Sequence, residues 1–157
     1  MLYHLLYPLR ESESIFNVVG YISFRAAVAM ATAMLLSILL YPPFIRWLQR
    51  KKYGQAIRED GPEGHFSKAG TPTMGGLLIL AAIVVSTLLW TKLTEPRIWL
   101  TPAVAVSFCA IGFVDDWQKI AAGNSKGLSG KLRLALEFLI GGAVVFAGVK
   151  FFGLSTD

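Results

Sequence analysis

Between Arg25 and Arg46 the chain carries no charged residue, and these twenty consecutive, mostly apolar positions constrain its fold more than any other feature. As a helix rising about 1.5 Å per residue, the run measures about 30 Å, the thickness of a bilayer's hydrocarbon core. The pattern recurs. A second uncharged run extends from Ala69 to Thr91, with helix entry expected near Met74 because Pro72 and the pair Gly75-Gly76 punctuate it. A third runs from Ile98 to Val114, flanked by Trp99 and Trp117 as interfacial anchors. The fourth, from Leu132 to Phe152, carries Arg133 and Glu137 in its first turns and is otherwise apolar until Lys150 near its end.

The expected fold is therefore all-α, a polytopic transmembrane helical bundle forming one domain over residues 1–157. About four spans are expected, at 22–45, 74–91, 98–115 and 132–152, joined by cytoplasmic loops at 46–73 and 116–131. Composition agrees: 54% of residues are hydrophobic and 16% charged, against about 25% charged in an average soluble domain. The segment before Gly20 lacks a signal peptide's basic start and small-residue cleavage site and reads as an interfacial helix or a frayed end. Small residues at Ala26, Ala27, Ala29, Gly141 and Gly142 are the expected helix contacts.

Basic residues set the orientation. Arg46, Arg50, Lys51, Lys52, Arg58, Lys68, Lys119, Lys126, Lys131 and Arg133 fall on one side, and Arg10, Lys92, Arg97 and Lys150 on the other. The positive-inside rule makes the first side cytoplasmic and the N-terminus periplasmic. This clustering beside apolar runs accounts for the net charge of +5 through membrane lipid, so no nucleic-acid partner is expected. Cys109 lies alone in an apolar run, where a small buried hydrophobe is the simplest role.

Three segments of the cytoplasmic side could carry chemistry. The third run ends in Gly112-Phe113-Val114-Asp115-Asp116-Trp117, placing adjacent carboxylates at the end of a hydrophobic helix. Such a position is costly unless a charge offsets it. A hard divalent cation such as Mg²⁺ takes oxygen ligands and bridges phosphates, so metal-assisted phosphoryl chemistry is one reading. The plainer alternative pairs Asp115 with Lys119 at i, i+4 and leaves Asp116 as a solvated helix end.

The first loop contains Ser67-Lys68-Ala69-Gly70-Thr71-Pro72-Thr73-Met74-Gly75-Gly76. Its glycines allow close backbone approach, Thr71 and Thr73 offer hydroxyls, Lys68 offers a point charge for phosphate, and it opens a helix. It does not have Walker A spacing, and a turn is the bland account of it. His65, without a matching partner nearby, reads as a solvated residue. The second loop places Lys119, Lys126 and Lys131 in the same compartment as the aspartates, to attract a pyrophosphate-bearing substrate or simply to touch lipid headgroups.

Taken together, Asp60-Gly61-Pro62, the segment Ser67 to Gly76, and Gly112 to Asp116 closely resemble the phospho-N-acetylmuramoyl-pentapeptide-transferase family, within the polyprenyl-phosphate N-acetylhexosamine-1-phosphate transferases. The Thr71-to-Gly76 stretch points to the muramoyl-pentapeptide branch. The resemblance implies transfer of phospho-MurNAc-pentapeptide from UDP-MurNAc-pentapeptide to undecaprenyl phosphate, with release of UMP, at the cytoplasmic face of the bacterial inner membrane and with Mg²⁺ as cofactor. It implies that Asp115 and Asp116 are the catalytic and metal-binding pair and that Lys68, Thr73, Lys119 and Lys131 bind substrate. Whether an aspartate attacks the donor phosphorus or deprotonates the lipid phosphate stays open, with the base role preferred.

The family continues with more spans, a further metal-binding aspartate and a histidine-rich loop that this sequence lacks. The chain therefore resembles an N-terminal portion, expected to be inactive alone. The competing readings are a non-catalytic membrane binding or scaffold protein derived from that family, and a small transporter. The latter would place ionisable groups near mid-membrane, whereas these gather at helix ends. The oligomeric state is left open, a homodimer included.

Overall fold

The computed structural model describes residues 1–51, 74–123 and 127–153, which are helical with no strand among them. Helix α1 (Leu2–Leu6) is followed by two 3₁₀ turns, Tyr7–Glu11 and Ser14–Gly20. The longer helices are α2 (Ile22–Arg50), α3 (Gly75–Trp90), α4 (Leu100–Ala122) and α5 (Gly130–Phe152), with a 3₁₀ turn at Pro96–Trp99 feeding α4.

Three helical segments, Ile22–Arg50, Pro96–Ala122 and Gly130–Phe151, are long and apolar enough to cross a membrane. Helix α3 is apolar but has 16 residues, about 24 Å of rise against a core of about 30 Å. Large apolar side chains point outward on these helices, including Ile38, Phe138 and Phe146, each at least 60% exposed. A water-facing surface of this kind would be a severe liability, whereas lipid or further protein accepts it at no such cost.

Helices run beyond the apolar runs that announce them. Helix α2 continues past Arg46 to Arg50, and α4 continues past Asp115 for seven residues to Ala122. The reason is physical: a charge ends a membrane span but not a helix, because long side chains reach water while the backbone keeps its ladder. Pro42 and Pro43 lie inside α2, so two carbonyls one turn earlier lose their amide donors, yet the helix carries on.

The contact between α2 and α3 is the most extensive among the described residues. The two are antiparallel. Trp90 Nε1 donates to Thr32 Oγ1 at 3.1 Å near one end, and at the other a Cβ on Gly75 would lie 3.3 Å from the Tyr41 hydroxyl. The buried positions of α3 are Ala82 and Ser86, small residues one turn apart that let backbones approach closely. The small residues expected as contacts on α5 behave otherwise: a Cβ on Gly141 or Gly142 would meet nothing within 4 Å.

Helix α4 ends and α5 begins at positions with recognisable caps. Gly123 ends α4 in the left-handed region (φ 61°), which a residue without Cβ adopts freely. Ser129 opens α5 as its N-cap, its Oγ accepting the Leu132 N–H at 3.3 Å. At the opposite end of the bundle the Met1 ammonium donates to the carbonyls of Leu88 and Leu89 at 2.8 and 3.2 Å, satisfying acceptors that the end of α3 leaves open.

Candidate functional site

Gly127 and Leu128, just before α5, lie against Asp115. The Lys119 ammonium lies 2.5 Å from Asp115 Oδ2, and the Leu128 N–H donates to Asp115 Oδ1 at 2.8 Å, so both carboxylate oxygens are engaged. Asp115 is 8% exposed, a carboxylate within the wall of the bundle rather than at a solvated tip. The i, i+4 pairing with Lys119 that the spacing allows is thus realised.

Asp116 departs from the solvated-end alternative. Its Oδ2 accepts the backbone N–H of Met74 at 3.2 Å, tying α4 to the start of α3, and Lys119 Nζ stands 3.6 Å from its Oδ1. Adjacent helical residues point about 100° apart, yet the long lysine stem lets one ammonium serve both carboxylates. The two aspartates also sit two turns before the helix end rather than at it, because α4 continues to Ala122.

Met74 holds this junction in an unusual conformation, φ 70° and ψ 14°, the one non-glycine residue with positive φ among the described residues. Left-handed backbone costs a side-chain-bearing residue about 1–2 kcal/mol, and Met74 is also 8% exposed, so its burial offsets that cost. A β-branched residue suffers most there. We expect Met74→Ile to destabilise the protein by about 2 kcal/mol while Met74→Leu, of similar volume, costs under about 1 kcal/mol. Melting midpoints in detergent that are equal for the two variants would contradict this account of the junction.

Gly127 packs directly over the Asp115–Lys119 pair. A Cβ there would lie 2.7 Å from Asp115 Cγ and 2.8 Å from Lys119 Cε, and would collide with the carboxylate oxygen Oδ1. Only a residue without a side chain lets the chain approach closely enough for Leu128 to donate its N–H.

The two aspartates and Lys119 line a cavity of about 450 Å³ between α3, α4 and α5, whose polar wall is completed by Arg133 and whose apolar wall includes Leu77, Leu80 and Phe113. Of the residues the sequence singles out, Asp115, Asp116 and Lys119 are brought together. Lys131 is exposed, outside the cavity wall. Its place on the wall is taken by Arg133, which also pairs with Glu137 at 3.0 Å. Two residues on a helix differ by about 200° in direction, so of Lys131 and Arg133 only one can face α4; the helix spacing signals the choice but not its outcome. Lys68, Thr73 and His65 lie outside the described residues.

Two adjacent carboxylates are a donor set that Mg²⁺ accepts, since that ion commonly takes one or two carboxylates, several waters and substrate phosphates. No group of three or more acidic, histidine or cysteine side chains suited to a metal occurs among the described residues. The Lys119 ammonium now balances the carboxylate charge, so a bound cation would share that role or displace it.

Residues 68–80 match the phospho-N-acetylmuramoyl-pentapeptide-transferase signature 1. Over 140 residues, 89% of this chain, the sequence is 54% identical to a phospho-N-acetylmuramoyl-pentapeptide-transferase of Syntrophus aciditrophicus, covering 39% of that protein. It is 52% identical over 145 residues to the one from Desulfotalea psychrophila, covering 40% of it, and 46% identical over its whole length to that of a Geobacter species, covering 44%. The chain thus spans about two fifths of the length of these relatives. The signature ends inside the first turns of α3, so it runs up to and across Met74, where α3 meets Asp116.

Proposed function

Since the chain belongs to the phospho-N-acetylmuramoyl-pentapeptide-transferase family, we propose that it contributes to transfer of phospho-MurNAc-pentapeptide from UDP-MurNAc-pentapeptide to undecaprenyl phosphate. An oxygen of the lipid phosphate bonds to the sugar-bearing phosphorus, the bond to the bridging pyrophosphate oxygen breaks, and UMP leaves. The product is the first lipid intermediate of peptidoglycan synthesis. The reading places the reaction at the cytoplasmic face of the inner membrane.

The observation that carries the proposal is the cavity in which Asp115, Asp116, Lys119 and Arg133 converge beside the family signature. In this reading Asp116, tethered by the Met74 amide, and Asp115, gripped by Lys119 and Leu128, hold their carboxylates where one of them accepts a proton from the lipid phosphate and where both would hold Mg²⁺. Bound Mg²⁺ would neutralise charge on the reacting phosphates. Lys119 and Arg133 add positive charge that draws a pyrophosphate into the cavity, with Lys68, Thr73 and Lys131 as further substrate contacts. Leu77, Leu80 and Phe113 form the apolar wall of this cavity.

We expect the 157-residue chain by itself to release no UMP from UDP-MurNAc-pentapeptide and undecaprenyl phosphate with Mg²⁺ present, because it spans about two fifths of its relatives. Mg²⁺-dependent UMP release that disappears in Asp116→Asn would show that these residues suffice for turnover. The second reading, a non-catalytic binding protein, draws on the Asp115–Lys119 ion pair, which already satisfies the carboxylate without a metal. Binding of undecaprenyl phosphate that survives every attempt to restore turnover with the remaining segments would favour it.

A further inference from the structure

A second cavity, of about 440 Å³, opens at the opposite end of the bundle from Asp115 and Asp116, where α2 begins and α3 ends. Its polar lining comes from Arg25, Thr87, Trp90, Thr91 and Lys92, and no carboxylate belongs to it. Most of these groups are already satisfied within the protein. Trp90 Nε1 donates to Thr32, and the Thr91 hydroxyl donates to the Thr87 carbonyl at 2.6 Å. The nearby carboxylate of Glu95 faces Arg97, 3.8 Å away.

Arg25 is different. Its Nε and Nη1 are buried and have no hydrogen-bond partner among the described residues, while its guanidinium lies 4.6 Å from the centre of the Tyr3 ring. An aromatic face stabilises the positive charge but supplies no acceptor for the N–H groups in the guanidinium plane. Leaving such donors buried and unmade is expensive, and an oxyanion is the ligand best suited to supply acceptors to a guanidinium that has none. Exposed Lys92 at the rim adds a second cation, and the Trp90 wall suits a headgroup depth rather than a hydrocarbon depth.

We propose that this cavity is a phosphate site, in which Arg25 receives the phosphate oxygens and Lys92 attracts them from the rim. The same chemistry has two sources, the phosphodiester of an anionic phospholipid and free phosphate, and the experiment separates them. In one arm, native mass spectrometry of the detergent-purified protein counts phosphatidylglycerol retained after mixed micelles are removed. In the other, melting midpoints are compared in inorganic phosphate and in chloride at equal ionic strength.

Wild-type protein is expected to retain phosphatidylglycerol, and Arg25→Gln to retain about tenfold less, the loss of one charge-assisted hydrogen bond. Lys92→Gln is expected to lose about twofold as an exposed cation, and Lys150→Gln, a cation at the same end outside the cavity, to match wild type. Stabilisation by inorganic phosphate that requires Arg25, without lipid retention, would assign the site to free phosphate. If Arg25→Gln equals wild type in both arms, or wild type binds in neither, the proposal is wrong. Should Arg25→Gln not fold, Arg25→Lys and Lys92→Gln decide: retention equal to wild type in both overturns the site, and a graded loss upholds it.

Discussion

On the proposed function, Asp116→Asn, tested in this chain supplemented with the segments that its longer relatives carry, is expected to reduce UMP release by on the order of 10³-fold without loss of the folded protein. Asparagine keeps an oxygen that can accept the Met74 N–H, so the tether between α3 and α4, 3.2 Å in the present structure, survives. What disappears is the negative charge, and with it the ability to take a proton and most of the attraction for a hard cation. The companion variant Asp115→Asn is expected to lose activity and stability together, because it leaves the Lys119 ammonium, now 2.5 Å from a carboxylate, facing a neutral amide. Activity measured as UMP release, alongside melting midpoints in detergent, separates the two effects. Retention of more than about a tenth of wild-type turnover by Asp116→Asn would remove Asp116 from the chemistry, since general acid–base roles contribute about 10²-fold or more.

Gly127→Ala is expected to produce the largest stability loss of any single methyl addition near the site, about 3 kcal/mol. Two costs add. The new Cβ would stand 2.7 Å from Asp115 Cγ and 2.8 Å from Lys119 Cε, so either the ion pair or the backbone at Gly127 must move, an overpacking cost of about 1–3 kcal/mol. If the backbone moves, the 2.8 Å bond from the Leu128 N–H to Asp115 is lost, and a bond to a charged acceptor contributes about 1.5–3 kcal/mol. Gly142→Ala serves as the reference: nothing lies within 4 Å of its added methyl, and a helical glycine replaced by alanine should gain up to about 1 kcal/mol. Chemical or thermal unfolding in detergent measures both. A Gly127→Ala midpoint within about 0.5 kcal/mol of wild type would mean that Gly127 does not rest on the ion pair in solution.

The two variants probe the same feature from different sides. Asp115 and Asp116 cannot be accounted for one at a time, because Lys119 reaches both, and the backbone donors that hold them come from Met74 and Leu128 on separate segments. Each carboxylate is thereby oriented by one amide and one shared ammonium. The phosphoryl-transfer role proposed above would call for acidic groups held in this way, by neighbours rather than by their own flexible stems.

Much of this was legible in residue order. Runs of apolar residues about 30 Å long when helical imply membrane-crossing helices, since only backbone groups satisfied within the segment survive in hydrocarbon. The Asp115–Lys119 pairing follows from i, i+4 spacing alone, and the adjacency of Asp115 and Asp116 in a mostly apolar helix already marks a place where charge must be balanced. The signature across residues 68–80 carries the family. Each of these is local: periodicity, spacing and a contiguous motif act within a few residues of each other.

What the tertiary structure decided is everything that joins distant segments. Met74 meets Asp116 across 42 positions, and the direction of a backbone N–H has no signature in the side-chain sequence. Gly127 and Leu128 lie against Asp115 between the end of α4 at Gly123 and the start of α5 at Ser129, a placement that no motif announces. Likewise, Arg133 rather than Lys131 stands on the cavity wall. Helix ends went past the apolar runs for a related reason, since burial and helicity are separate properties and the charged turns of α4 remain helical. Arg25 illustrates the limit most plainly: the sequence shows a basic residue beside an apolar run, and only the packing of α2 against α3 and the N-terminal segment leaves its N–H groups buried and unpaired.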